Sequence, residues 1–130
     1  MKVEHIAIWT KDLERLMVFY MKYFGAKANE GYFNKETGFK SFFLSFDDGA
    51  KIEIMNMDGI LPHEQLNQKY LGYCHLAMSV GTKSDVIELT KSLRDDEYEV
   101  IGEPRTTGDG YFESVILDPD GNKIEIMSLL

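Results

Sequence analysis

The sequence predicts an α+β fold: tandem βαβββ modules forming a curved, cup-like mixed sheet with helices outside. Three observations predict it. The pentapeptide Lys-Ile-Glu-Ile-Met stands at 51–55 and again at 123–127, each time behind an Asp-Gly pair, Asp48-Gly49 and Asp120-Gly121. The stretch Glu4-His5-Ile6-Ala7-Ile8 has a counterpart in Cys74-His75-Leu76-Ala77-Met78. Between the opening and closing segment of each copy lies one stretch of helical periodicity followed by short alternating runs, so the order of elements repeats.

In the first copy, residues 3–9 alternate with the period of a strand. Leu13, Leu16, Met17, Tyr20 and Phe24 then recur at helical spacing, with Asp12 placed to cap the helix and Gly25 to end it. Strands follow at 31–33, 39–46 and 51–57, with turns at 34–38 and 47–50. In the second copy a strand at 75–80 leads into a helix that turns Val86, Leu89 and Leu93 inward, with Ser84 as its N-cap. Strands at 99–101, 111–117 and 123–129 complete it. Asp118-Pro119-Asp120-Gly121 has the chemistry of a tight turn, Pro presetting φ and Gly accepting a positive one. The acidic run Asp95-Asp96-Glu97 closes the second helix as a solvated surface, at the end where the helix dipole disfavours negative charge. Residues 1–130 are thus expected to form a single domain, with modules at 1–57 and 72–130. The connector at 58–71 is expected to hold one helical turn and a surface histidine, His63.

With 44% hydrophobic residues over 130 positions the chain has ample material for a core. A formal net charge of -8 argues against nucleic-acid or anionic-membrane partners, because a phosphate-binding face needs clustered cations and the only arginines are Arg15, Arg94 and Arg105. No apolar run approaches the roughly 20 residues of a bilayer span. The start of the chain turns polar within its first dozen residues, unlike a signal peptide. The one cysteine, Cys74, cannot form an internal disulfide, which fits a reducing compartment. The expectation is a cytoplasmic protein with Cys74 as a buried structural thiol.

Strand phase turns this pattern into chemistry. Residues i and i+2 share a face of a sheet, so His5 shares its face with Ala7 and Trp9, while Ile6 and Ile8 point the other way. Glu53 is bracketed by Ile52 and Ile54, and Glu125 by Ile124 and Ile126, so each carboxylate faces away from an apolar pair. Singly, such residues read as a hydrogen-bonded core histidine or as the wet side of a sheet. Their symmetric fourfold recurrence points instead to one shared site in which His5, Glu53, His75 and Glu125 converge on a divalent metal. Imidazole and carboxylate donors suit Zn, Ni, Co, Fe or Mn, and four ligands leave two octahedral positions open for a chelating substrate. The metal would act as a Lewis acid toward adjacent substrate oxygens, and the carboxylates as proton-transfer groups. Gly108-Asp109-Gly110 lacks a lysine and a following helix, and reads as a turn rather than a phosphate loop.

These residues carry a resemblance over essentially the whole chain. The paired modules, His5, Glu53, His75 and Glu125, the Asp118-Pro119-Asp120-Gly121 turn ahead of Lys123-Ile124-Glu125, and Leu71-Gly72-Tyr73-Cys74-His75-Leu76-Ala77 resemble the vicinal oxygen chelate superfamily, and within it glyoxalase I. The resemblance implies a metal-dependent lyase or isomerase of the lactoylglutathione lyase type, with Ni, Zn or Co bound by the four residues. It implies Glu125 as principal base and Glu53 as its counterpart. The implied substrate is an α-oxoaldehyde-thiol adduct, such as a thiol adduct of methylglyoxal, and the implied assembly a homodimer. Family members that use glutathione place Arg and Asn where this chain has Trp9 and Met57, which argues against glutathione. Arg105 is then a candidate for carboxylate recognition, equally readable as a surface arginine beside a turn. Trp9, Phe43 and one of the pair Tyr111 and Phe112 are candidates for the pocket wall. Three alternatives stay open: a non-catalytic small-molecule-binding protein of the bleomycin-resistance kind, a metal-dependent epimerase, and a dioxygenase needing only His5, His75 and one Glu.

Overall fold

A computed structural model describes residues 1–62 and 69–129. His63 and the helical turn expected in the connector lie outside the described residues. The chain divides into two compact units, Met1–Glu64 and Gln65–Leu130.

In the first unit the elements run β1 (His5–Trp9), α1 (Leu13–Phe24), β2 (Lys27–Ala28), β3 (Tyr32–Phe33), β4 (Lys40–Ser45) and β5 (Lys51–Asn56). The sheet order is β1-β5-β4-β2, with β3 also paired to β4. β1 runs parallel to β5 and the remaining pairs are antiparallel, so the sheet is mixed. The helix starts where Asp12 accepts a hydrogen bond from the Arg15 backbone N–H at 3.0 Å, and stops at Gly25, which takes a left-handed φ of 64°. Leu16, Phe19 and Tyr20 of α1 are buried on one side, and Leu44, Ile52 and Ile54 of the sheet on the other. Each large apolar side chain buried here stabilises the unit by about 1.5–3 kcal/mol.

The second unit repeats the plan with β6 (His75–Gly81), α2 (Lys83–Asp95), β7 (Val100–Thr106), β8 (Phe112–Leu117) and β9 (Lys123–Ser128) in the order β6-β9-β8-β7. β6 is parallel to β9, as β1 is to β5. Val86 and Leu93 of α2 are fully buried with Ile116, Ile124 and Ile126 of the sheet. Both units thus pair one mixed sheet with one helix, which is the α+β class read from the sequence. Among the described residues no helix is long and apolar enough to cross a membrane.

Several local expectations change. The N-cap of α2 is Thr82 and not Ser84: Thr82 and Asp85 form a reciprocal capping box, in which the Asp85 carboxylate accepts from the Thr82 N–H at 2.6 Å. Leu89 is only half-buried, and the third inward position belongs to Thr90, whose hydroxyl is 2.6 Å from both the Val86 carbonyl and the Ser114 hydroxyl. β7 runs well past 101 because it is an edge strand, where Pro104 forfeits no essential ladder hydrogen bond and bulges absorb Gly102. The two-residue β2 was too short to show periodicity. Cys74 is exposed, not buried: it precedes β6, beyond the cover of the core.

Candidate functional site

Both units place a histidine and a glutamate in the same strand register. In the parallel pair β1 and β5, His5 stands opposite Lys51 and Ala7 opposite Glu53. In β6 and β9, His75 stands opposite Lys123 and Ala77 opposite Glu125. Each glutamate is therefore one diagonal step from its histidine, on the face opposite the helix. The reason is visible in the flanking residues: Ile52, Ile54, Ile124 and Ile126 are at most 2% exposed beneath the helices, and alternation turns the intervening carboxylates outward.

The pair in the second unit is in contact, with His75 Nε2 3.2 Å from Glu125 Oε2. His5 is held differently. Its Nδ1 pairs with the carboxylate of Glu4, and its ring meets Phe43 edge-on, with centroids 5.2 Å apart. Phe43 is the cross-strand neighbour of Glu53. Glu4 also accepts from Lys51 Nζ at 2.6 Å; that bond, then the one from His5, draws its carboxyl down to about 2. Among the described residues no three His, Cys, Asp or Glu side chains gather closely enough to hold a metal ion. Each unit by itself offers one His and one Glu, a donor pair of the right chemistry for a borderline divalent cation.

Of the candidate wall residues, Trp9 lies on the His5 face, half-exposed, its ring edge-on to Phe39 with centroids 6.2 Å apart. Phe112 shares the face of Ser114, which bonds α2, and carries Lys83 of that helix over its ring. Tyr111 stands one position before β8 and is half-buried. Its carbonyl accepts from the Thr107 N–H at 2.7 Å, closing the turn between β7 and β8.

Arg105 stands directly across from Glu113 in the β7–β8 ladder, with Nη2 3.8 Å from Glu113 Oε1. Glu113 was not singled out in the sequence. It is only 8% exposed, on the same face as Glu125, and burial, then the charge of Glu125, pushes its carboxyl up, with Arg105 partly opposing the shift. The signal was present in Phe112-Glu113-Ser114, where alternation places Glu113 on the face of Glu125, opposite the helix-facing Ser114.

The profile described as Glyoxalase/Bleomycin resistance protein/Dioxygenase superfamily matches residues 2–126. No curated protein sequence matches the chain. Among solved structures, a trypanothione-dependent glyoxalase I of Leishmania major superposes with a TM-score of 0.78 at 23% identity, covering 98% of this chain and 86% of that one. A glyoxalase family protein from Enterococcus faecalis gives the same TM-score at 22% identity, covering 98% and 97%. A glyoxalase I mutant from Zea mays does so at 21% identity, but this chain spans only 44% of it. At these identities the likeness establishes the fold.

Proposed function

This chain belongs to the Glyoxalase/Bleomycin resistance protein/Dioxygenase superfamily, and from that premise we propose that it is a metal-dependent lyase of the glyoxalase I type. The observation that carries the reading is the duplicated register: two parallel strand pairs, each setting a His diagonal to a Glu whose two neighbours are buried isoleucines. Nothing in a solvated sheet face requires that pairing twice over. On this reading His5, Glu53, His75 and Glu125 would hold one divalent metal, Ni, Zn or Co. When bound, such an ion is a Lewis acid toward two adjacent substrate oxygens.

The chain's own groups then manage the protons. Glu125 accepts the proton from the carbon bearing one of those oxygens and later gives it to the neighbouring oxygen, while Glu53 takes the substrate's hydroxyl proton and delivers it to the neighbouring carbon, so the substrate is isomerised, both carboxylates are regenerated and no electrons are gained or lost. His75, at 3.2 Å from Glu125, limits the positions that carboxylate can take. Trp9 and Phe43 of the first module offer apolar wall to the substrate's substituent, and Tyr111 and Arg105 are the candidates for substrate contact in the second. The substrate is an α-oxoaldehyde-thiol adduct whose thiol is not glutathione, because Trp9 and Met57 supply no charge to a tripeptide carboxylate.

The test is metal analysis of protein purified without chelator, followed by turnover of methylglyoxal with several thiols. One equivalent of metal per complete site, with turnover, supports the reading. Protein that takes up no metal under any loading condition overturns it. The half-exposed Trp9, edge-on to Phe39, would then favour a second reading, a binder of aromatic small molecules on the same face.

A further inference from the structure

We propose that Glu4 is a positioning residue that fixes the tautomer of His5 and presents its Nε2 to the face shared with Glu53. The inference rests on the reading of His5 as a ligand. Glu4 immediately precedes β1, and its two carboxylate oxygens have different tasks. One accepts from His5 Nδ1, and the other accepts from Lys51 Nζ at 2.6 Å. Lys51 is the register partner of His5 across the parallel pair, and its backbone N–H donates to the Glu4 carbonyl at 3.0 Å. Glu4 is thus anchored to β5 through both main chain and side chain, and the histidine hangs from a fixed acceptor. Phe43 supplies a second boundary, its ring standing at 86° to the imidazole, with Lys51 Nζ 5.5 Å from that ring's centroid.

A carboxylate on Nδ1 keeps the proton there, leaves the lone pair on Nε2 and makes that nitrogen more basic. The second module identifies the same nitrogen independently: there it is Nε2 of His75 that stands beside Glu125. Yet that module has Cys74 where the first has Glu4, while Lys123 keeps the place of Lys51. A thiol is a weak acceptor. The duplicated histidines are therefore oriented by unlike means, His5 from behind by Glu4, and His75 from the front by Glu125.

Ring nitrogen NMR of the metal-free protein near pH 8, with the His5 signals assigned through His5→Asn, reads the tautomer directly. Wild type should show His5 protonated at Nδ1. Glu4→Ala should give a tautomer mixture and weaken Co(II) binding about 10–100-fold, with altered visible absorption of the bound ion. Glu4→Gln keeps an acceptor at the same reach and should retain most of both properties. Glu4 is 56% exposed in its side chain, so neither change should lower the melting temperature appreciably. An unchanged His5 tautomer in Glu4→Ala would overturn the inference. A wild-type protein that binds no Co(II), with a tautomer that still responds to Glu4→Ala, would remove the metal reading and leave the hold of Glu4 on His5 standing.

Discussion

His75 Nε2 lies 3.2 Å from Glu125 Oε2 across a parallel strand pair in which Ala77, not His75, is the register partner of that glutamate. The contact engages one carboxylate oxygen, Oε2, as the acceptor of the imidazole N–H, and the second oxygen, Oε1, is the acceptor left to a substrate proton. It follows that Glu125→Gln, which preserves shape and one acceptor oxygen, should leave metal content largely intact and lower turnover by about 10²–10⁴-fold. Initial rates and metal analysis on the same preparation check this. Equal turnover in wild type and variant would remove Glu125 from its role as base.

Glu53 and His75 belong to different modules. If one ion needs both, then Glu53→Ala and His75→Ala should each weaken Co(II) or Zn binding by at least the roughly 10–100-fold that losing a mere supporting group costs. Chelator competition measures it. Should only one of the two substitutions matter, the ion is held by a single module with other donors.

Glu113 carries a pH signature. Burial and Glu125 hold its carboxyl above the ordinary 4.5 in the folded state, so between 4.5 and the raised value the folded chain binds more protons than the unfolded one. Stability falls as pH rises through that window. Glu113→Gln should therefore flatten the decline and be more stable than wild type at neutral pH, with the gap closing below about 4.5. Urea unfolding across that range decides it; a variant less stable at every pH would mean that the pairing with Arg105 outweighs the burial.

The duplicated architecture and the matching register of its His and Glu residues were legible in the sequence because strand alternation and exact repetition are both local signals. Ile52-Glu53-Ile54 states its own phase. What escaped depends on partners elsewhere in the chain. Thr82 caps α2 only because Asp85 reciprocates, and Thr90 replaces Leu89 in the core because Ser114 satisfies its hydroxyl. Glu113 looked like one more acidic residue until β7 and β9 closed around it. The apolar neighbours of Cys74 suggest cover that the fold does not supply, since Tyr73 beside it is itself fully exposed.

Each helix ends at a residue in the left-handed conformation, but the two residues differ. Gly25 closes α1 at a φ of 64°, and Glu97 follows α2 at 69°, the one described non-glycine residue with a positive φ. Around Glu97 the Tyr98 N–H reaches the Leu93 carbonyl at 2.9 Å and the Glu97 N–H reaches that of Arg94 at 3.0 Å, a Schellman pattern that favours glycine. A side chain there costs about 1–2 kcal/mol in the left-handed region. Its negative charge also faces the negative helix end, beside Asp95 and Asp96. Glycine returns about 0.4–1 kcal/mol of that gain through the greater freedom of its unfolded chain. Glu97→Gly should thus stabilise the protein by about 0.5–1 kcal/mol, a rise of a few degrees in melting temperature. Gly25→Ala should do the reverse by a similar amount, since a Cβ at Gly25 would meet nothing within 4 Å and only the backbone conformation is at stake. Glu97→Gln removes the charge alone, so thermal melts of the three variants separate the dipole from the backbone strain. If Glu97→Gln gains as much as Glu97→Gly, the left-handed conformation carries no measurable cost at that position.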